Sequence, residues 1–474
     1  MNQLPFRDSF IHSLKIHSLE IFIHSKFIHS KLISMKSGFS KLSKRKKLRW
    51  VAENFFKKPE EVVSELMSFW HDEDKTQKVF DDFSENTLSN YYMPFGVAPN
   101  FVINGKSYCV PMVIEESSVV AAAASGAKFW MERGGFKAEI TGTKKVGQVH
   151  FTWKGDGEKL RSFFSEIKTA LKEGTKDITR NMERRGGGVL DISLIDMTHL
   201  EADYFQLKVD FETCDSMGAN FINSVLEAFA KILQQFALEN PEFEGEEKNL
   251  NIIMAILSNY TPECLVRAEV SCSIEDLGQI GDCDAQEFSY KFEKAIRIAQ
   301  LDVHRATTHN KGILNGIDAV AIATGNDFRA IESCGHTYAA RDGQYRSLSN
   351  VSTEDGVFRF WMDFPIAVGT VGGLTTLHPL AKRSLEMLGT PGAQELMQII
   401  VVVGLAQNFA AVRSLVTTGI QQGHMKMHLT NILNHMQATE QEVKQAIVFF
   451  KDRMVSFSTV REFLDKIRAK GVVG

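Results

Sequence analysis

The chain has 474 residues, 44% apolar and 24% charged, which is enough for roughly three compact units of about 150 residues. That composition excludes a disordered chain, a collagen-like repeat and a small disulfide-stapled scaffold. Residues 1–58 carry 13 Lys+Arg against 3 Asp+Glu, so the net charge of −4 leaves −14 on the remainder, and an acidic body is a poor platform for nucleic acid. The 6 cysteines (Cys109, Cys214, Cys264, Cys272, Cys283 and Cys334) include no Cys-x-x-Cys pair, so neither a zinc site nor a redox dithiol is expected and a reducing cytoplasm fits best.

Residues 10–30 repeat Ile-His-Ser four times, with His12, His17, His24 and His29 spaced by five, seven and five. A metal-binding tract and a low-complexity tail ahead of Met35 are both open readings, and no helical or strand period gathers the histidines. The cluster Lys44-Arg45-Lys46-Lys47 reads as the solvated start of a helix or as a binding patch. No secretory leader is legible, because the apolar residues alternate with His, Ser and Lys. No run reads as membrane-spanning either: the most apolar one, Ile399 to Ala406, is closed by Gln407 and Asn408, short of roughly 18–20 residues.

Glu115 and Glu116 open an Ala-rich helix expected to run to about Arg133 and to stop at Gly134-Gly135. Either both carboxylates complement the helix dipole, or one turns inward as a proton donor. From Gly147 to Leu257 the hydrophobic period switches in the order strand, helix, strand, strand, helix, strand. The strands are Gly147 to Trp153, Val189 to Ile195, Tyr204 to Glu212 and Ile252 to Leu257. The first helix is marked by Leu160, Phe163, Phe164, Ile167 and Leu171, the second by Met217, Phe221, Val225, Phe229, Ile232 and Phe236. This is the ferredoxin-like βαββαβ order. The fold class is therefore α+β: a large helix-rich domain interrupted by a ferredoxin-like one, plus a small C-terminal helical flap opened by the capping box Thr439-x-x-Glu442. The expected divisions are a tail (1–34), the large domain (35–144 and 259–418), the small domain (145–258) and the flap (419–474).

No Gly-x-Gly-x-x-Gly follows a strand, so a dinucleotide must bind in another way. Asp215-Ser216-Met217-Gly218-Ala219-Asn220 opens the second small-domain helix, where Gly218 would let a pyrophosphate approach free backbone N–H groups; an ordinary N-cap at Asp215 or Ser216 is the alternative. Glycines beside Lys311 and Asp327 suggest two turns that bring a cation and a carboxylate to one cavity rim, or a structural ion pair. His424, in Gly423-His424-Met425, lies where the apolar helical region gives way to the flap, as a mobile acid/base or a structural histidine.

Taken together, these segments resemble 3-hydroxy-3-methylglutaryl-coenzyme A reductase, in its soluble class II form, over about residues 40–450. The resemblance rests on Glu85-Asn86, Pro94-Phe95-Gly96-Val97-Ala98, Asn104-Gly105, Val110-Pro111-Met112, Glu115-Glu116-Ser117-Ser118, the box at 215–220, His309-Asn310-Lys311-Gly312, Ala323-Thr324-Gly325-Asn326-Asp327, Gly369-Thr370-Val371-Gly372-Gly373 and Gly423-His424-Met425. It implies a substrate-binding large domain and a cofactor-binding small domain. The implied reaction is reduction of the acyl-CoA to mevalonate and coenzyme A by two NADH or NADPH, without a metal. Catalytic roles would fall to Glu116, Lys311, Asp327 and His424, and acyl binding to Arg305, Ser118, Asn315 and Asn259. Cofactor contacts would come from Asp215, Met217, Gly218 and Asn220, with Asp196 reading the ribose. The resemblance also implies a homodimer with a shared active site, assembled further into rings such as a hexamer, with no nucleic-acid or membrane partner. Ser117, Ser216, Ser89 and Tyr92 depart from the family pattern without removing a catalytic group. Mevalonate oxidation with NAD and coenzyme A, a silent coenzyme A-binding homologue and an unrelated nicotinamide dehydrogenase are the competing readings; the missing Rossmann fingerprint disfavours the last.

Overall fold

The computed structural model describes residues 37–417, 429–451, 453 and 455–471. The His-Ser repeat and His424 lie outside them. The described chain divides at Tyr92/Met93, so the segment expected as one piece over 35–144 belongs to two units.

In the first unit, α1 (Lys44–Phe55), α2 (Pro59–Ser68) and α3 (Asp74–Asp81) follow one another. The basic cluster is the start of α1, where Lys44 pairs with Asp81 at 2.6 Å and lies 4.1 Å from the Trp70 ring centre. Two of the departures from the family pattern have local work here: the Ser89 hydroxyl donates to the Leu66 carbonyl at 2.5 Å, and the Tyr92 hydroxyl to that of Phe69 at 2.9 Å.

The second unit opens with a hairpin of β1 (Phe95–Ile103) and β2 (Lys106–Val113). Asn104 and Gly105 turn it, with φ of 50° and 81°, values that an Asn-Gly pair tolerates best. Then come α4 (Ser117–Met131) and β3 (Lys137–Ile140). The inserted domain comprises β4 (Lys145–Thr152), α5 (Gly157–Ser162), α6 (Phe164–Gly174), α7 (Lys176–Glu183), β5 (Gly188–Asp196), β6 (Tyr204–Glu212), α8 (Ala219–Glu239) and β7 (Asn251–Leu257). Its antiparallel sheet has the order β5-β6-β4-β7, that of a ferredoxin-like unit, and one apolar core joins the sheet to α6 and α8. The periodicity reading took α5 and α6 as one helix, which breaks at Phe163, and missed α7, whose eight residues bury little beyond Thr179 and Met182.

The chain returns through β8 (Leu265–Ser273), α9 (Ala285–Leu301), α10 (Val303–Ala323), α11 (Phe328–Ala339), β9 (Ser349–Ser352) and β10 (Val357–Pro365). A second sheet runs β3-β8-β10-β9. After α12 (Leu374–Leu377) and α13 (Pro379–Met387), α14 (Ala393–Val416) crosses the main core. By length and composition α14 could cross a membrane, which the run-length reading missed because the apolar stretch resumes beyond Gln407-Asn408; 72% of its most apolar window is buried inside the protein. Glycine lets its neighbours approach: a Cβ on Gly126 of α4 would sit 2.5 Å from the Ala406 carbonyl oxygen, and one on Gly316 of α10 would sit 2.9 Å from the Gln407 side chain. The flap region holds α15 (Glu440–Phe449) and α16 (Phe457–Gly471) around a small core of its own. The expected capping box at Thr439 and Glu442 is present.

Candidate active site

The close packing of α4, α10 and α14 leaves a cavity of about 530 Å³ lined by residues of all three. Glu116 stands at the N-cap position of α4, is half-buried and lines the cavity, while Glu115 is exposed. The Ser118 hydroxyl donates to the Glu116 carboxylate. Lys311, Arg305 and Asn315 line the same cavity from α10: the four-residue step from Lys311 to Asn315 keeps those two on one helix face, and Arg305 enters from a neighbouring face nearer the N-terminus. Lys311 is thus mid-helix, not at a turn, and Gly312 beside it is also helical. Burial pulls the Arg305 guanidinium below its ordinary value.

His309, Gln407, Asn408 and Arg413 also line this cavity and were assigned no role from sequence. His309 is 2% exposed, and burial, with the Arg305 charge, pushes its pKa down to about 3. Its Nε2 meets the Ser349 hydroxyl at 2.7 Å, and that hydroxyl donates to Asn408 at 2.8 Å. The polar pair Gln407-Asn408 inside an apolar helix was the available signal. A polar break at a core position needs a partner, and a cavity supplies the reason to keep one.

A second cavity, about 370 Å³, is lined by Ser216–Phe221, Gly325–Asp327 and residues of 369–375, and shares no lining residue with the first. Gly218, at φ 94°, is the N-cap of α8, and no side chain caps that helix. A Cβ at Gly218 would meet Thr213 at 2.5 Å, so only glycine fits. The opening residues of a 21-residue helix therefore face a cradle suited to a dinucleotide's phosphates. Met217, Gly218 and Asn220 all line this cavity.

Four expectations change. Asp327 lines this second cavity, while Lys311 lines the first; the stretch of α10 from Lys311 to Ala323 alone is roughly 18 Å long, so one chain does not bring the pair to one rim. Asp327 instead caps α11 and binds Arg329 at 3.0 and 2.9 Å. Burial raises its pKa, but the Arg329 and backbone hydrogen bonds outweigh burial and hold the carboxyl below its ordinary value. Asn259 lines a small cleft of about 20 Å³ with Lys145 and Met217, away from the Lys311 cavity. Asp215 does not line the second cavity and bonds to α14. Asp196 pairs with Phe205 in the register that sets Gly188 opposite Glu212, at the far end of a ladder whose span from Phe205 to Glu212 is roughly 24 Å, so it lies away from the box. Its carboxylate is engaged by Thr198 and Arg161, and the Thr198 hydrogen bonds hold its pKa below the ordinary value.

The sequence profile of hydroxymethylglutaryl-coenzyme A reductase matches residues 43–429. The chain belongs to this family. The 3-hydroxy-3-methylglutaryl-coenzyme A reductase of Archaeoglobus fulgidus is 35% identical over 436 residues, covering 91% of this chain and 94% of that one. A probable reductase of the same name from Borreliella burgdorferi is 33% identical over 398 residues, 82% and 88% of the two chains. Among solved structures, the class II reductase of Streptococcus pneumoniae bound to NADPH in open conformations is 36% identical with a TM-score of 0.66, covering 80% of this chain and 99% of that one. Another structure of the Streptococcus pneumoniae reductase covers 91% of this chain at 35% identity and a TM-score of 0.67. Reductases of this family are oxidoreductases, and the mixed helix-and-sheet fold found here is theirs. Among the described residues no cluster of three or more His, Cys, Asp or Glu is placed to hold a metal ion.

Proposed function

We propose that this chain reduces 3-hydroxy-3-methylglutaryl-coenzyme A to mevalonate and free coenzyme A, consuming two NADPH and two protons, as a step of the mevalonate route to isoprenoids. The observation that carries the reading is the convergence of Lys311, Arg305, Glu116 and Ser118 on one cavity. Two cations, a carboxyl group and a hydroxyl suit an anionic acyl group whose carbonyl oxygen gains charge during reduction. NADPH is favoured over NADH because the Streptococcus pneumoniae relative binds it and because Asp196, the carboxylate that would repel a 2′-phosphate, lies away from the box.

The nicotinamide, when bound, supplies hydride first to the thioester carbon and then to the aldehyde carbon. Lys311 stabilises the oxyanion that develops on the carbonyl oxygen, an interaction that strengthens as the transition state forms. Arg305 and Ser118 hold the terminal carboxylate, with Asn315 beside them. Collapse of the hemithioacetal breaks the carbon–sulfur bond, and His424 protonates the departing thiolate. Glu116 then delivers a proton to the alkoxide made by the second hydride.

Reacting atoms must approach within about 3–3.5 Å. The two cavities share no lining residue, and within one chain Lys311 and Asp327 are held apart by at least the roughly 18 Å of α10 from Lys311 to Ala323. This supports a homodimer in which the nucleotide turn, Asn259 and Asp327 of one subunit complete the Lys311 cavity of the other, with dimers available for a larger ring. The six unbridged cysteines suit a cytoplasmic setting.

Following absorbance at 340 nm with thiol titration should give two NADPH oxidised per coenzyme A released. One per thiol, or none from folded protein, would sink the assignment. Mixing Lys311→Ala with Asp327→Asn chains should restore roughly a quarter of wild-type activity, because half the dimers are mixed and each has one intact site; no recovery would place both residues in one subunit's site.

A further inference from the structure

We propose that Asp215 is a positioning residue: its carboxylate latches the nucleotide turn of the small domain onto the N-terminus of α14 and makes no contact with the cofactor. The inference rests on the reading that this turn holds the nucleotide.

Asp215 Oδ1 accepts the backbone N–H of Ala393 at 2.8 Å. Ala393 is the first residue of α14, whose N-cap, Gly392, has no side chain to offer, so the cap comes from 178 residues earlier in the chain. The 24-residue helix also presents the positive end of its dipole to that carboxylate. A second bond joins the same residue to the glycine loop, because the Asp215 carbonyl accepts Thr370 N–H at 2.9 Å.

Small residues stand where the turn touches its neighbours. A Cβ on Gly369 would lie 2.5 Å from Met217 N, and one on Gly392 would lie 3.0 Å from Asp215 Oδ1. From the inner side Lys145, 4% exposed, donates to Thr213 Oγ1 and, at 3.0 Å, to the Ser216 carbonyl. The turn at 213–216 is thus held from beneath by a buried ammonium and from outside by the latch. Ser216–Phe221 and residues of the loop at 369–375 both line the second cavity, so a residue bonded to both the loop and α14 ties these parts of its wall together.

The donor can be removed without touching Asp215. Ala393→Pro deletes the N–H at a helix position that accepts proline, and Gly392, at φ −71° and ψ 170°, already has the extended backbone that a residue before proline adopts. Binary NADPH titration of the full chain should show Asp215→Ala and Ala393→Pro each weakening the cofactor about three- to tenfold, the double variant no weaker than Asp215→Ala alone, and Asp215→Asn within about twofold of wild type. The KM for the acyl-CoA should move less than about twofold.

A direct cofactor contact predicts the opposite pattern: Ala393→Pro behaves as wild type, or the two losses add. Deuterium uptake of the peptide spanning 213–221, measured without cofactor, gives an independent check. It should speed up in Ala393→Pro, although the substitution lies in another element, and unchanged uptake would overturn the latch. If wild-type protein fails to bind NADPH, the cofactor reading falls while the uptake experiment still decides the latch; if Asp215→Ala does not fold, Ala393→Pro carries both measurements.

Discussion

The Lys311 cavity is walled by side chains on three long helices, whereas the nucleotide cavity is walled largely by turns and glycine-rich backbone. In the first, Glu116, Arg305, Lys311 and Asn315 project from α4 and α10, Gly312 is the one glycine among the described lining residues, and Gly126 and Gly316 let the helices behind it approach closely. In the second, Gly218, Gly325, Gly369, Gly372 and Gly373 line the space, and Asp327 there spends its carboxylate on capping α11 and on Arg329. Ionisable side chains thus line the first cavity from helices, and the second is lined largely by backbone at glycine-rich turns.

Breaking the first cavity's chemistry should have the largest effect. Lys311→Ala is expected to lower kcat about 10²- to 10³-fold, with binary NADPH affinity within about twofold of wild type. Steady-state rates beside a cofactor titration would check this, and parallel loss of both would merge the two sites. Next come the glycines, one for each cavity. Gly218→Ala forces a Cβ to 2.5 Å from Thr213 at φ 94° and should weaken NADPH at least about tenfold. Gly126→Ala pushes α4 off the Ala406 carbonyl and should cost about 1–3 kcal/mol in urea unfolding while sparing NADPH binding.

A third comparison uses pH. The folded pKa of His309 is held at about 3, below its unfolded value near 6.5, so the unfolded chain takes up the proton first. Stability from this residue is present above about pH 6.5 and is lost as pH falls toward 3. His309→Gln should flatten that part of the melting-temperature profile. The smallest effect is expected at Asp196, which lines neither cavity: Asp196→Asn should change the NADPH to NADH preference by less than about twofold in paired kcat/KM measurements.

Local patterns were legible wherever neighbours in sequence decide the outcome. The strand Tyr204–Glu212 follows its alternation, α8 follows its apolar stripe, and Thr439 with Glu442 forms the expected cap. What failed depended on distant partners. Asp215 was read with the helix that follows it, yet it caps a helix that begins 178 residues later. Lys311 and Asp327 are close in sequence, but a continuous helix separates them: Gly316 serves packing, Gly312 opens onto the cavity, and neither breaks the helix. Gln407 and Asn408 were read as the end of an apolar run, when the helix continues through them and the cavity accounts for their polarity.

The sequence by itself determined the α+β class, the order of elements in the inserted domain, the glutamate pair at the start of α4 and the glycine at the start of α8. Each follows from period, capping or backbone freedom within a few residues. Only the tertiary structure decided which glutamate faces a cavity, which cations share it, which helix Asp215 caps and at which end of the sheet Asp196 lies. Those outcomes depend on register and helix packing between segments hundreds of residues apart, and a one-residue shift in either would send the same side chains elsewhere.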